Sequence, residues 1–190
     1  MSEALGAVGA LFAVGHSTRT LDDLVQLLKV HGVKRLADVR TVPRSRHNPQ
    51  FIRDTLPAAL AAAGIGYAHL PGLGGLRHAR TDSSNTGWQN ASFRGYADYM
   101  QTPAFTASLE QLIALVRDEQ TVIMCAEAVP WRCHRSLIAD ALTARGLVVE
   151  HILGTSRRDR HALTPFAKVQ DGRLVYPANP GQPALPLEPA

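Results

Sequence analysis

Five short apolar runs, each followed or interrupted by a polar residue and separated by stretches of helical periodicity, constrain this chain more than any other feature. Leu11–Val14 runs into Gly15-His16-Ser17, Val33–Val39 carries Asp38 and leads to Arg40, and Ile65–Leu70 contains His69. Thr121–Cys125 and Leu147–Leu153 complete the set, the last holding His151. Between them lie helical patterns. Leu21, Leu24, Val25 and Leu28 recur at helical spacing behind Thr20, with Asp23 placed for a capping box and Gly32 as the stop. Further helices are expected over Thr55–Ala63, Phe93–Met100, Phe105–Val116 and Trp131–Arg145, and Asp171-Gly172 marks a small hairpin between Lys168–Gln170 and Arg173–Tyr176. Strands alternating with helices give an α/β fold. The expected architecture is a mainly parallel open sheet of about five strands with helices on both faces, Rossmann- or flavodoxin-like, plus the C-terminal hairpin.

The length of 190 residues fits one domain, expected over residues 1–176. Prolines at 177, 180, 183, 186 and 189 make residues 177–190 an extended tail. With 45% hydrophobic and 19% charged residues the chain has enough apolar material for a real core. Glu3 precedes the first apolar run and no Lys or Arg does, unlike a secretory signal, and the run is too short for a bilayer. The expectation is a cytoplasmic protein without membrane contact. The net charge of +4 rests on 17 Arg and only 3 Lys, which suits planar contacts with carboxylate or phosphate.

In open α/β sheets ligands bind beyond the carboxyl ends of the strands, and that is where the polar residues accumulate. His16 and Ser17 follow the first strand, Asp38 and Arg40 end the second, His69 ends the third, and Cys125 and Glu127 end the fourth. The segment Cys125–Arg135 is the most specific. It should place Cys125 at a strand tip and Cys133-His134-Arg135 in the first turn of the next helix, where free N–H groups attract anions and lower a thiol's pKa. A tyrosine-phosphatase-type loop would need arginine where Trp131 or Ala139 stands, and the short Gly/Arg turn of rhodanese-type loops is absent after Cys125. The spacing of Cys125 from Cys133 and His134 is unusual for zinc, although His16, His69 or Glu127 would complete a tetrahedral set. No cofactor is evident and no metal site is assigned. The long stretch Pro71–Asn90 reads as a functional lid, and His151 as a structural residue.

Gly15-His16-Ser17, Asp38-Val39-Arg40 with Pro43 and Ser45, Tyr67-x-His69-Leu70-Pro71, Gly95-Tyr96-Ala97-x-Tyr99-Met100 and Cys125-Ala126-Glu127 through Cys133-His134-Arg135 together resemble the uncharacterised-domain family 488, a domain of unknown function. The resemblance runs from about Phe12 to Ile152 and implies a small α/β protein. It implies no reaction.

From the residues alone the expected function is an enzyme, a hydrolase or transferase, acting on a small anionic, phosphate-bearing or nucleotide-like ligand. Cys125, Glu127, His16 and His69 are the catalytic candidates. Arg40, Arg135, Ser17, Cys133 and His134 are the anion-binding candidates, with Asp38 and Tyr96 beside them. His16, Asp38, His69, Glu127 and Arg135 are expected to share one cavity. Two alternatives are a nucleic-acid-binding module using Arg44, Arg46, Arg77, Arg80, Arg157, Arg158 and Arg160 as a rim, and a metal-dependent site with Cys/His ligands.

Overall fold

The computed structural model describes residues 10–178. The segments outside that range include residues 1–9 and most of the proline-rich tail, residues 179–190. The strands are β1 (Leu11–Gly15), β2 (Arg35–Asp38), β3 (Gly66–His69), β4 (Thr121–Cys125), β5 (Val149–Ile152) and β6 (Arg158–Arg160), in the order β3-β2-β4-β1-β5-β6. All pair in parallel except β6, which runs antiparallel on β5. The helices are α1 (Leu21–Val30), α2 (Leu56–Ala62), α3 (Ala91–Met100), α4 (Pro103–Asp118) and α5 (Arg135–Thr143). A separate hairpin joins β7 (Lys168–Gln170) to β8 (Arg173–Val175). Its turn residues Asp171 and Gly172 both have positive φ, the type I′ geometry that matches strand twist.

Alternation along the strands sorts the side chains into two cores. Phe12, Val14, Leu36, Val122 and Met124 pack with Leu24 and Leu28 of α1 and with Leu56 and Leu60 of α2. Leu11, Ala13, Ala37, Ile123 and Cys125 pack with α3, α4 and α5 on the other face. The expected capping box opens α1: Thr20 Oγ1 accepts from Asp23 N at 3.1 Å, and the Asp23 carboxylate accepts from Thr20 N. None of the described helices is long and apolar enough to cross a membrane.

Three local expectations change. Cys133 does not lie in a helix. Pro130–Arg132 forms a single 3-10 turn, Cys133 is extended at φ −129° and ψ 142°, and α5 starts only at Arg135. Pro130 starts the short turn, but the extended Cys133 breaks it before α5 restarts. The edge strand β6, Arg-Asp-Arg, has no apolar signature because its side chains are all exposed. The stretch Pro71–Asn90 contains a 3-10 turn at Pro71–Leu73 and is then fastened to α3. Buried Asp98 accepts from Arg80 N at 2.8 Å, Ser83 Oγ at 2.5 Å and Asn85 Nδ2 at 2.8 Å.

The connection leaving β1 runs through α1 on one face, and that leaving β4 runs through α5 on the other. The C-terminal ends of these neighbouring strands are therefore the switch point of the sheet, where a ligand crevice forms in such folds.

Candidate functional site

Two polar clusters occupy this end of the sheet, one on each face. Leu36 and Asp38 share the α1/α2 face of β2, so Asp38 is buried there, and its carboxylate receives both Nε (2.8 Å) and Nη2 (2.6 Å) of Arg40. Arg40 Nη2 also donates to Phe51 O at 2.7 Å, and Tyr67 Oη donates to Asp38 at 2.9 Å. Burial and the Asp38 charge push the Tyr67 phenol up, so it remains a donor. His16 packs against Phe51 with ring centroids 4.3 Å apart and the planes tilted by 31°. Its Nδ1 faces Ser17 O at 2.9 Å and must carry the proton, which leaves Nε2 to accept from Arg40 Nη1 at 3.3 Å. Burial first, and then the Arg40 charge, lower the His16 pKa and keep it neutral. His69 Nε2 donates to Arg40 O at 2.9 Å. Each guanidinium nitrogen of Arg40 has a partner within the protein.

On the opposite face the balance of charge differs. Arg135, 1% exposed, donates Nη1 to the Cys125 sulfur at 3.2 Å and to Glu127 O at 3.2 Å, and Nη2 to Ala128 O at 3.4 Å. Its Nε is buried with no partner, and among the described residues no carboxylate pairs with it. The extended backbone at Cys133 turns its thiol inward, where it meets Arg135 N at 3.4 Å and His134 Nδ1 at 3.6 Å. His134 Nε2 donates to Val39 O at 3.1 Å, so its Nδ1 is the lone pair facing Cys133. Burial pushes the His134 pKa down to about 4. The nearby Cys133 thiol, and then the Arg135 charge, hold Cys125 below the ordinary thiol range, while the Cys125 thiol and burial push Cys133 up.

The residues expected in one cavity thus fall into two groups. His16, Asp38, Arg40 and His69 form one network, and Cys125, Cys133, His134 and Arg135 form the other. The backbone joins them: His16 N donates to Cys125 O and Ser17 N to Ala126 O, both at 2.9 Å. Ser17 stands at φ 50° to make that contact. Glu127 contributes its carbonyl to Arg135 while its side chain is exposed. A Cβ on Gly15 would sit 1.7 Å from Glu127 O, so glycine there is what lets the Ala126–Val129 loop fold into the switch point over Cys125.

Neighbouring loops brace this arrangement. Tyr96 Oη holds Leu73 O at 2.8 Å, Tyr99 Oη holds Gly72 O at 2.7 Å, and Thr41 Oγ1 holds Gly75 O at 3.0 Å. Gly75 lies against the His134 ring, so the loops after β2, β3 and β4 touch. Tyr96 is therefore a brace for the loop. A cleft of ≈ 510 Å³ lies elsewhere, between α4, α5 and the hairpin, and its lining shares no residue with either cluster. Among the described residues no group of three or more His, Cys, Asp or Glu side chains is arranged to hold a metal.

Sequence reasoning missed two contributors. Tyr67 lies on the same strand face as His69, two residues before it, and that spacing was the available signal. The other is a relay on the Cys125 face. Asp140 is fully buried and accepts from His161 Nε2 (2.8 Å), Thr164 N and Oγ1, and Tyr176 Oη (2.9 Å). His161 Nδ1 then accepts from His151 Nε2 at 2.9 Å, leaving His151 Nδ1 buried without a partner. Its traces in the sequence were His151 in the fifth apolar run and a lone acid among the apolar residues of α5.

The fold and these clusters define an α/β protein with a buried thiol–guanidinium centre at its topological switch point. The chain belongs to the family described as Domain of unknown function DUF488, which matches residues 20–142. That span runs from the cap of α1 into α5 and includes every residue of the Cys125 cluster. No curated protein and no solved structure matches the chain.

Proposed function

We propose that this chain is a thiol-dependent enzyme, a hydrolase or transferase, acting on a small anionic, phosphate-bearing or nucleotide-like substrate at the switch point, with Cys125 as nucleophile. The observation that carries the reading is Arg135. A permanently charged guanidinium buried without a carboxylate is costly, and the stable solutions are an ionised neighbour or a bound anion. Cys125 supplies the first as a thiolate. The unpartnered Nε is a donor left for the second. Arg40 differs in having its charge met by Asp38, and it holds the frame together with His16 and His69. Glu127, exposed on the loop over Cys125, is the proton-transfer group of this proposal. Substrate reaches the thiol when the Ala126–Val129 loop lifts from Gly15.

Alkylation of Cys125 by iodoacetamide, followed against pH by peptide mass spectrometry, tests this. The expected rate rises with an apparent pKa below the ordinary thiol value of about 8.5, and in Arg135→Lys the midpoint moves up. A Cys125 that titrates as an ordinary thiol, or resists alkylation at every pH, would remove the nucleophile from the proposal. Thermal shifts with inorganic phosphate and with a nucleoside monophosphate test the anion, and wild type is expected to gain stability that Arg135→Lys does not.

A second reading is favoured by the rim above the site. Trp131 is 69% exposed beside exposed Arg132, and exposed Arg44 and Arg46 follow on a neighbouring loop. A flat aromatic next to unpaired cations is the pairing that holds single-stranded nucleic acid. Binding of a fluorescent oligonucleotide that weakens steeply with salt and is lost in Trp131→Ala supports it, and no binding at low salt rejects it.

A further inference from the structure

The Cys125 centre holds a second thiol that the proposed nucleophilic chemistry does not use. Cys133 is 4% exposed and Cys125 2%, and they sit in one core cluster on either side of Arg135. Both touch the same residue: Cys125 receives Arg135 Nη1 at 3.2 Å, and Cys133 receives Arg135 N at 3.4 Å. Both are free thiols. The two environments are unlike. Cys125 faces a guanidinium that has no carboxylate partner, whereas Cys133 faces the lone pair of His134 Nδ1 at 3.6 Å. One sulfur is set up to be a thiolate and the other to keep its proton until a base removes it, which is the division of labour between an attacking and a resolving cysteine.

We infer that Cys125 and Cys133 are an oxidisable dithiol, in which a hydroperoxide oxidises Cys125 and Cys133 resolves the product as an intrachain disulfide. The step balances. The Cys125 thiolate attacks one peroxide oxygen, the O–O bond breaks, and the departing hydroxide takes up a proton, leaving Cys125 as a sulfenic acid. The Cys133 sulfur then attacks Cys125 Sγ while its proton passes to His134 Nδ1. The S–O bond breaks, and the second hydroxide leaves as water carrying that proton. With hydrogen peroxide the two thiols lose two electrons and two protons, and two waters form. The unpartnered Arg135 Nε is a buried donor for the peroxide oxygen as charge develops on it. A water-sized oxidant needs only a small opening of the Ala126–Val129 loop, whose first three residues are exposed.

This inference rests on Cys125 being a thiolate, so the experiment separates the two claims. The folded full-length chain is treated with one equivalent of hydrogen peroxide, and its free thiols are counted before peptide mapping without reductant. The expected result is loss of both thiols, a Cys125–Cys133 linked peptide lighter by two hydrogens, and restoration by dithiothreitol. Cys133→Ser is expected to stop at a sulfenic acid on Cys125 that dimedone traps, and Cys125→Ser to consume no peroxide. If Cys133→Ser does not fold, Cys133→Ala serves in its place. Two thiols remaining at a tenfold excess of peroxide, while iodoacetamide still alkylates Cys125 with a low apparent pKa, would overturn the dithiol and leave the nucleophile standing. Failure of both reactions at Cys125 would overturn both. Equal peroxide consumption by Cys125→Ser would overturn the assigned order of attack.

Discussion

Arg40 and Arg135 are both buried arginines at the same end of the sheet, and they differ in what answers their charge. Arg40 forms a two-pronged pair with Asp38 and spends its remaining donors on a carbonyl and a neutral histidine. Arg135 rests on a sulfur and two carbonyls, with its Nε unanswered. The first arrangement is complete without anything from outside. The second is complete only with an ionised thiol or a bound anion. The comparison teaches where on one rim to expect framework and where to expect chemistry: a saturated charge network is a poor binder, and an unsaturated one is built at a cost that function recovers.

Breaking the saturated side should have the largest consequence. Asp38→Asn leaves the Arg40 guanidinium buried without its counter-charge, and Tyr67 loses its charged acceptor. The expected loss is about 3–5 kcal/mol, read as a lowered midpoint in urea unfolding. A loss below about 1 kcal/mol would show that Arg40 escapes to solvent and that the two arginines are less different than their contacts indicate.

The pH dependence of stability probes the histidines on the unsaturated side. His134 and His151 are both pushed down to about 4, chiefly by burial, whereas in the unfolded chain they titrate near 6.5. Between those values the unfolded state binds more protons than the folded one, so stability is flat above about 6.5 and falls as pH drops towards 4. Each histidine contributes up to about 3 kcal/mol to that fall. Unfolding midpoints measured from pH 7.5 to 4 should show it, and His134→Gln should flatten part of the slope. An unchanged slope would mean that His134 is protonated in place.

How much of this was legible beforehand divides along the same line. The sheet, its parallel pairing and the strand tips carrying His16, Asp38, His69 and Cys125 follow from apolar runs and spacing, because burial writes itself into hydrophobic pattern. Which tip residues meet does not. Asp38 and Cys125 end adjacent strands, yet alternation turns them to opposite faces, and that depends on strand order and register. The Cys133 break was hidden because its sequence continues a helical pattern that Pro130 starts and the inward-turned thiol interrupts. The Asp140–His161–His151 relay joins residues from three segments, which no local pattern reports.

A smaller effect tests the loop that closes the unsaturated side. Gly15→Ala forces a Cβ against Glu127 O and must push the Ala126–Val129 loop off the switch point. Overpacking of this kind costs about 1–3 kcal/mol. Because the displaced loop is the cover over Cys125, alkylation of Cys125 should become faster even as the protein becomes less stable. Slower alkylation would show that the loop's carbonyls activate the thiol through Arg135 more than they shield it.

Glu127→Gln should have the smallest effect on the fold and is the most discriminating for the proposed chemistry. The side chain is exposed, it makes no ion pair among the described residues, and its backbone carbonyl is untouched by the change. Stability should therefore move by no more than about 0.5 kcal/mol. If Glu127 is the proton-transfer group at the mouth of the site, the variant separates binding from catalysis. Stabilisation by inorganic phosphate should survive or strengthen, because a negative charge has left the approach to Arg135, while turnover of a responsive substrate should fall. The opposite pattern, phosphate stabilisation lost with the fold intact, would make Glu127 a ligand contact and move the proton transfer to His16 or His69. Both already have a ring nitrogen committed to a backbone carbonyl, and for either to act the saturated network would have to open.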